Sequence, residues 1–399
     1  MAKITDNSKK NVPIFGYGLL ALSVTHMLAH SIEFIHPAIF SILRVEFNLS
    51  LQQLGIISAI PPLCQAIGYV PSGLASDRFG GKKMMIINFA AATLGALLAS
   101  QANNALMLIV AISLVYINVT IYHPSSYSFT TKLFKSKDRS KALGLHGAGG
   151  TFGNSIGPLL VSILIGFLAL EWRQVYLLMA VPMFLGIVMV FFLPKEPIEE
   201  VESQTSQSVS DAGTKPFLSR SLVMFLIYQA LAVEAGSMVS FFLVLYLQDV
   251  RGLNIAMASL IASGSMLSGL VASPIGGFTA SRFGDKKWLL GTRAIAGLSL
   301  ALSIVFPSVI LFAVFYIGSG FFNIMGMAAR SSIMAKLSPG KVRGLGFALF
   351  FLPGSIMSVI GPLAAGTIAE FYGYNTIFAI AIGMCVLELV ILKFGVKVN

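Results

Sequence analysis

Gly73-Leu74-Ala75-Ser76-Asp77-Arg78-Phe79-Gly80-Gly81-Lys82-Lys83 returns 204 residues later as Gly277-Phe278-Thr279-Ala280-Ser281-Arg282-Phe283-Gly284-Asp285-Lys286-Lys287. The same offset carries Lys132 to Lys336, Arg139 to Arg343, Gly150 to Gly354, and Ile156-Gly157-Pro158-Leu159 to Ile360-Gly361-Pro362-Leu363. A constant shift through most of a half means one ancestral unit used twice. A repeat this long in a chain this apolar points to two halves embedded in a membrane.

Composition agrees. Apolar residues make up 56% of the 399 residues and charged residues 11%, against about a quarter charged in a soluble domain. Apolar runs of roughly 18–28 residues recur, each able to cross a ~30 Å hydrocarbon core. They predict an all-α membrane protein with twelve spans, near 14–43, 52–75, 84–101, 104–131, 142–169, 172–194, 218–247, 255–280, 288–305, 308–332, 344–369 and 373–395. The first run is too long for a signal peptide and lacks a small-residue cleavage site, so it reads as a retained span. The expected organisation is a tail (1–13), a six-helix bundle (14–194), a linker (195–217) and a second six-helix bundle with a short tail (218–399). The linker is acidic, rich in Ser and Gln and poor in aromatics, the composition of a flexible connector.

Placing both termini in the cytoplasm puts all but Arg44, Arg173 and Arg251 of the 27 Lys and Arg residues at cytoplasmic ends and loops. That asymmetry sets the orientation in a cell membrane. It also accounts for the net charge of +11 without nucleic acid, since the chain has no basic helix face interleaved with stacking aromatics. Cys64 and Cys385 fall inside spans 2 and 12 and read as packing residues. No zinc-binding motif, phosphate cradle or nucleophile elbow is present, so an enzyme is not expected, nor is a cofactor. A signalling scaffold is disfavoured because no signalling domain accompanies the repeat.

In the 73–83 segment, Asp77 ends span 2 where a carboxylate can meet a neighbouring helix N-terminus. Arg78, Lys82 and Lys83 can pair with acids of the adjoining loop, Asp138 first among them and next to Arg139. Gly73 and Gly80 permit close approach and a tight turn. Contacts present in one state and broken in another bias a conformational equilibrium; the plainer reading is that these charges only fix topology. The segment resembles the loop 2–3 motif of major facilitator superfamily transporters, Gly-x-x-x-Asp-Arg-x-Gly-x-Lys-Lys, at every fixed position. The second copy keeps Arg282, Gly284 and Lys286 but has Ser281 in place of an acid. The resemblance covers the whole chain. It implies alternating access, with the motif acting as a gate, small solutes and protons as partners, and a monomer as the working unit.

Two further stretches resemble the fosmidomycin-resistance type of exporter: Tyr122-His123-Pro124-Ser125-Ser126 in span 4, and the run from Gly147 to Pro158 in span 5. Span 1 adds His26 and His30, where that group has His followed four residues later by Asp, so its acidic coupling residue is not carried over. Span 4 also lacks the mid-helix Arg of many drug/proton antiporters. In span 5, Gly149, Gly153 and Gly157 form a smooth stripe for close helix contact, followed by Pro158. Gly361-Pro362 partly repeats it in span 11. In the superfamily a Gly-rich span 5 ending in Gly-Pro accompanies antiporters; packing alone is the alternative.

All five histidines lie in the first half and within spans: His26, His30, His36, His123 and His146. On a helix, His26, His30 and Glu33 fall within roughly a 60° arc. Ionisable groups at that depth are costly and usually face a pathway. The offset maps His30 onto Glu234 in span 7; the resemblance implies that spans 1 and 7 line the central cavity, so the two are expected to face each other across the pseudo-twofold axis. Three readings fit this cluster: proton coupling, a metal or metal-chelate site, or interhelical hydrogen bonding. Proton coupling is favoured and no resident metal is expected. His36 reads as interfacial. Asn118, Asn154 and Asn323 are possible cavity donors or interhelical glue. Arg330 is a possible anion contact or a side chain reaching for the cytoplasmic interface; Glu388 is expected to reach water at the inner face. The expected function is proton-coupled efflux of a small organic solute, with proton-coupled uptake of a small organic anion or metal chelate as the alternative.

Overall fold

Pro37 decides the shape of the first apolar segment. In the computed structural model of the chain, the span expected over 14–43 is three helices: α1 (Tyr17–Ser31), α2 (Ile35–Ala38) and α3 (Phe40–Glu46). Pro37 has no N–H for the Glu33 carbonyl, and its ring crowds that oxygen. His36 Nδ1 donates to it instead, at 3.0 Å. The interfacial place expected for His36 is therefore wrong. It is 1% exposed, packed on Phe40, Tyr116 and Phe241.

The structure describes residues 16–134, 136–195, 219–337 and 343–398, without the side chains of 131, 136–141, 281, 335 and 343–351. The linker beyond residue 195 lies outside them. The remaining helices are α4 (Leu51–Phe79), α5 (Gly81–Ser100), α6 (Ala105–Leu133), α7 (Ser136–Leu160), α8 (Trp172–Phe191), α9 (Arg220–Asp249), α10 (Ile255–Leu267), α11 (Gly269–Phe283), α12 (Asp285–Val305), α13 (Val309–Met325), α14 (Met327–Leu337), α15 (Arg343–Tyr372) and α16 (Tyr374–Val390). Every regular element among the described residues is helical. Eleven helices, counting α10–α11 and α13–α14 as joined pairs, are long and apolar enough to cross a membrane.

The repeat is visible in the backbone. Ser50 caps α4 by accepting from Gln53 N, and at the offset Asn254 caps α10 by accepting from Met257 N. Asn104 on α6 and Ser308 on α13 form a second such pair. A polar side chain at these positions satisfies an otherwise orphaned N–H. All described residues with positive φ are also paired at the offset: Asn48 with Gly252, Gly80 with Gly284, and Ala169 with Gly373.

Helix neighbours repeat likewise: α1 packs on α7 and α9 on α15, while α5 packs on α6 and α8 as α12 does on α13 and α16. Contacts between the halves run along α4 with α15 and α10 with α7. They gather at the end holding the starts of α4 and α10. A Cβ on Gly55 would stand 2.6 Å from Pro362 O, and one on Gly366 2.6 Å from Leu51 O. Gly166 lies as tightly on Ala256. At the rim Arg44 pairs with Asp249 at 2.9 Å, and Leu51 N donates to Glu370 at 2.7 Å. Glycine is needed at these seams because backbones touch there.

Candidate functional site

The glycine stripe of α7 sets the height of α1. A Cβ on Gly149 or Gly153 would run into Ser23 O or Met27 O, and one on Gly157 would stand 2.9 Å from Phe34 C. Gly150 faces the His26 ring, whose Nε2 would lie 2.5 Å from its Cβ. Backbone contact thus presses His26 and His30 towards α6.

There they meet His123. His26 Nε2 and His30 Nε2 lie 3.3 and 3.2 Å from His123 Nε2. The other nitrogen of each α1 histidine is anchored. His26 Nδ1 donates to His146 O at 2.8 Å, and His30 Nδ1 meets Glu33 Oε2 at 2.7 Å. Glu33 can turn back to His30 because the helix breaks after Ser31. His146 stacks on His26 at 4.2 Å, donates to Leu22 O and accepts from Ser126. No hydrogen bond or ion pair joins His30 to Glu234 among the described residues; the carboxylate bonded to His30 is Glu33. Glu234 is 5% exposed and its Oε2 has no hydrogen-bond partner.

The second half holds a different arrangement. Arg293, 4% exposed on α12, donates through Nε to Glu388 at 2.7 Å and through a terminal nitrogen to Asn323 at 2.5 Å. Arg330 donates to the same Asn323 oxygen at 3.1 Å. Two expectations are corrected here. Glu388 is fully buried against Arg293 and does not reach water. Arg330 is partly buried and turned inward rather than towards the interface. Arg293 itself is hidden in the charge count, which absorbs it among cytoplasmic ends. Its place almost two turns past Lys286-Lys287 is the signal that separates it. Asn118 donates to Ala29 O, tying α6 to α1; Asn154 is half-buried with no partner among the described residues.

Between the halves lies a cavity of about 220 Å³. Phe34, Pro37 and Pro158 wall it on one side and Ser240, Arg293 and Asn323 on the other. The α9 turn carrying Glu234 is part of its wall through Ala232, Ala235 and Gly236.

The repeated motif is partly engaged. Lys82 donates to Leu193 O, and Lys286 to Lys393 O and Val396 O, at 2.5, 3.0 and 2.6 Å. Each lysine clasps the end of the last helix in its half. Gly80 and Gly284 share φ 86°, which only glycine adopts freely. Asp77 is exposed and without a partner among the described residues. Arg78 and Arg282 lie over the rings of Phe79 and Phe283. Among the described residues, nothing stands within 4 Å of a Cβ on Gly73. The side chains of Asp138 and Arg139 lie outside the described residues. Gly361 packs on Ser237 of α9, as Gly157 does on Phe34 and Ile35 at the start of α2.

A family model described as Major Facilitator Superfamily matches residues 22–258 and 229–398. The chain belongs to the Major Facilitator Superfamily. It is thus a multi-pass membrane protein of a transporter family. Among curated superfamily relatives, the Fosmidomycin resistance protein of Escherichia coli (strain K12) is 24% identical over 369 residues, spanning 91% of this chain and 89% of that one. The Sialic acid transporter NanX of the same strain is 22% identical over 374 residues, spanning 90% and 88%. Among solved structures, a bacterial homolog to the human lysosomal transporter Spinster, inward-facing and occupied, gives a TM-score of 0.82 at 16% identity over 97% of both chains. At that identity the likeness shows the superfamily fold alone.

Proposed function

We propose that the chain moves a small organic solute across the cytoplasmic membrane by alternating access, exporting it in exchange for protons. Twelve spans, both termini cytoplasmic, form halves over 14–194 and 218–399 that rock about the central cavity. The closed end, with its Arg44–Asp249 pair, is the outer one; Asp77 and Gly73, at the other end, have no partner among the described residues, as an open inner end would leave them. Closing that end would give them partners, so Asp77→Asn should slow turnover while leaving substrate binding intact. Lost binding with an unchanged inward–outward ratio would sink the gating role.

The observation that carries the coupling is Glu234: a carboxylate buried beside the cavity with an oxygen that nothing satisfies. An ionised carboxylate in such a place is costly unless water or a cation reaches it. A site whose access alternates can therefore take its proton on one face and lose it on the other. Export is supported by the resistance protein among the relatives and by the Gly-Pro end of the α7 stripe. The second reading, uptake of a small organic anion, is favoured by Arg293 on the cavity wall. Ligands found by thermal-shift screening, followed in proteoliposomes under an imposed pH gradient, separate the two by the direction of accumulation. Glu234→Gln should abolish gradient-driven accumulation and keep counterflow exchange. Full gradient-driven accumulation in that variant would refute the assignment.

A further inference from the structure

We infer that His26, His30 and His123 form a binding site for one divalent transition-metal ion of the zinc, cobalt or nickel class. The site shares no residue with the proposed proton site at Glu234 and stands or falls independently of it.

Convergence is the first ground. His26 Nε2 and His30 Nε2 lie 3.3 and 3.2 Å from His123 Nε2, and one ring nitrogen from each of the three falls within 4.8 Å of the others. Nitrogens bound tetrahedrally at about 2.0–2.1 Å from one ion stand about 3.3–3.4 Å apart.

The second ground is the hydrogen on each ring. A carbonyl oxygen only accepts, so His26 Nδ1 must carry the hydrogen it gives to His146 O. The Glu33 carboxylate imposes the same tautomer on His30. With both rings neutral, the two Nε2 atoms are bare lone pairs, turned towards His123 Nε2. That nitrogen has at most one hydrogen to offer two acceptors. An ordinary hydrogen-bond network alternates donors with acceptors; this one leaves a lone pair opposed. A cation at the shared point satisfies all three. A ring nitrogen bonded to a carbonyl or carboxylate, with the other left free, is the arrangement that orients metal-binding histidines.

The third ground is fit. Glycine at 150 leaves room for the His26 ring, whose Nε2 and Cε1 would stand 2.5 and 2.6 Å from a Cβ there. The backbone contacts of Gly149 and Gly153 hold both α1 ligands in place. His30 is 12% exposed in its side chain. Tyr127, beside His26 and His123 at ring distances of 6.4 and 6.2 Å, is 40% exposed. The site is therefore approached from open space, and three ligands leave a fourth position vacant for water or an anionic donor. Imidazole ligation without thiolate suits zinc, cobalt, nickel and copper(II) rather than calcium or magnesium. All three ligands come from α1 and α6 of one half, so rocking of the halves does not dismantle the site.

The test uses the full chain, with any histidine tag removed, in lipid nanodiscs. Co²⁺ is titrated while the visible ligand-field bands of tetrahedral cobalt are followed, and Zn²⁺ is then added to displace it. We expect saturation at one equivalent, loss of the bands on adding Zn²⁺, and at least about a 100-fold weaker affinity in His123→Asn. Cys64→Ala should bind as the wild type does. X-ray absorption of the Zn²⁺-loaded wild type needs no variant: it should show imidazole nitrogens at about 2.0–2.1 Å. Absence of saturable Co²⁺ binding, unchanged affinity in His123→Asn, or a zinc shell lacking histidine overturns the site.

Discussion

The two halves agree in backbone and disagree in chemistry. Positive-φ residues, helix caps and the lysine clasps recur at the 204-residue offset. The buried ionisable groups do not keep their identity. Arg293 and Glu388 correspond to Phe89 and Phe184, and His26, His30 and His123 to Ala230, Glu234 and Met327. The helix contact under the histidines differs as well: Gly149 and Gly153 of α7 become Pro353 and Met357 in α15. What duplication kept is the geometry that lets each half fold and turn. What it lost is whatever each half presents to a solute or an ion.

The largest effect that sharpens this comparison belongs to the second half alone. Glu388→Ala leaves Arg293 charged and buried, and should cost about 3–5 kcal/mol. Replacing both, as Arg293→Met with Glu388→Leu, should restore most of that stability while transport stays lost. Thermal unfolding in detergent and flux in proteoliposomes read the two consequences. If the single variant is as stable as the wild type, the pair is not the second half's keystone.

Next comes the glycine pair at 150 and 354. A methyl at Gly150 meets the His26 ring, whereas at Gly354 the nearest atom is Val233 Cγ2 at 4.0 Å. Gly150→Ala should destabilise by about 1–3 kcal/mol, and Gly354→Ala by less than about 0.5. Equal losses would show that the helix contacts are alike after all.

At Ala169 and Gly373 the backbone is left-handed in both halves, with φ 55° and 81°. Gly373→Ala should cost about 1 kcal/mol and Ala169→Gly should gain up to about 1. A loss of stability on Ala169→Gly would mean that the first half has relaxed away from the shared turn. The smallest effect tests the clasps. Lys82→Met and Lys286→Met should each lower stability by about 0.5–1 kcal/mol, and by matching amounts, as melting temperatures would show.

Much of this was legible in the sequence. The repeat and the apolar runs predict the helix order because hydropathy and offset are local properties of the chain. The α7 stripe predicts a close helix contact, and the structure supplies its partner. The break in span 1 was within reach, since Pro37 was in view, but a hydropathy run does not register a lost hydrogen bond. His30 and Glu33 share a stripe in the sequence, but their direct bond forms through the turn that opens after Ser31, which helical spacing does not register. Arg293–Glu388 lies 95 positions apart, a separation that neither periodicity nor motif can bridge.

The seam between the halves bears on how fast the molecule can move. Glycine meets backbone across it at Gly55, Gly366 and Gly166, near the starts of α4 and α10. The hydrogen bonds crossing it at the described residues are Arg44 to Asp249 and Leu51 to Glu370 at the rim, and Ser263 to Ser155 inside. Rim bonds exchange readily for water. Parting such a seam therefore ruptures little and wets much. The barrier to opening should then be governed by solvation, rising with excluded osmolytes such as sucrose that penalise newly wetted surface. Here the smoothness of a glycine seam is a property of the kinetics as much as of the fold.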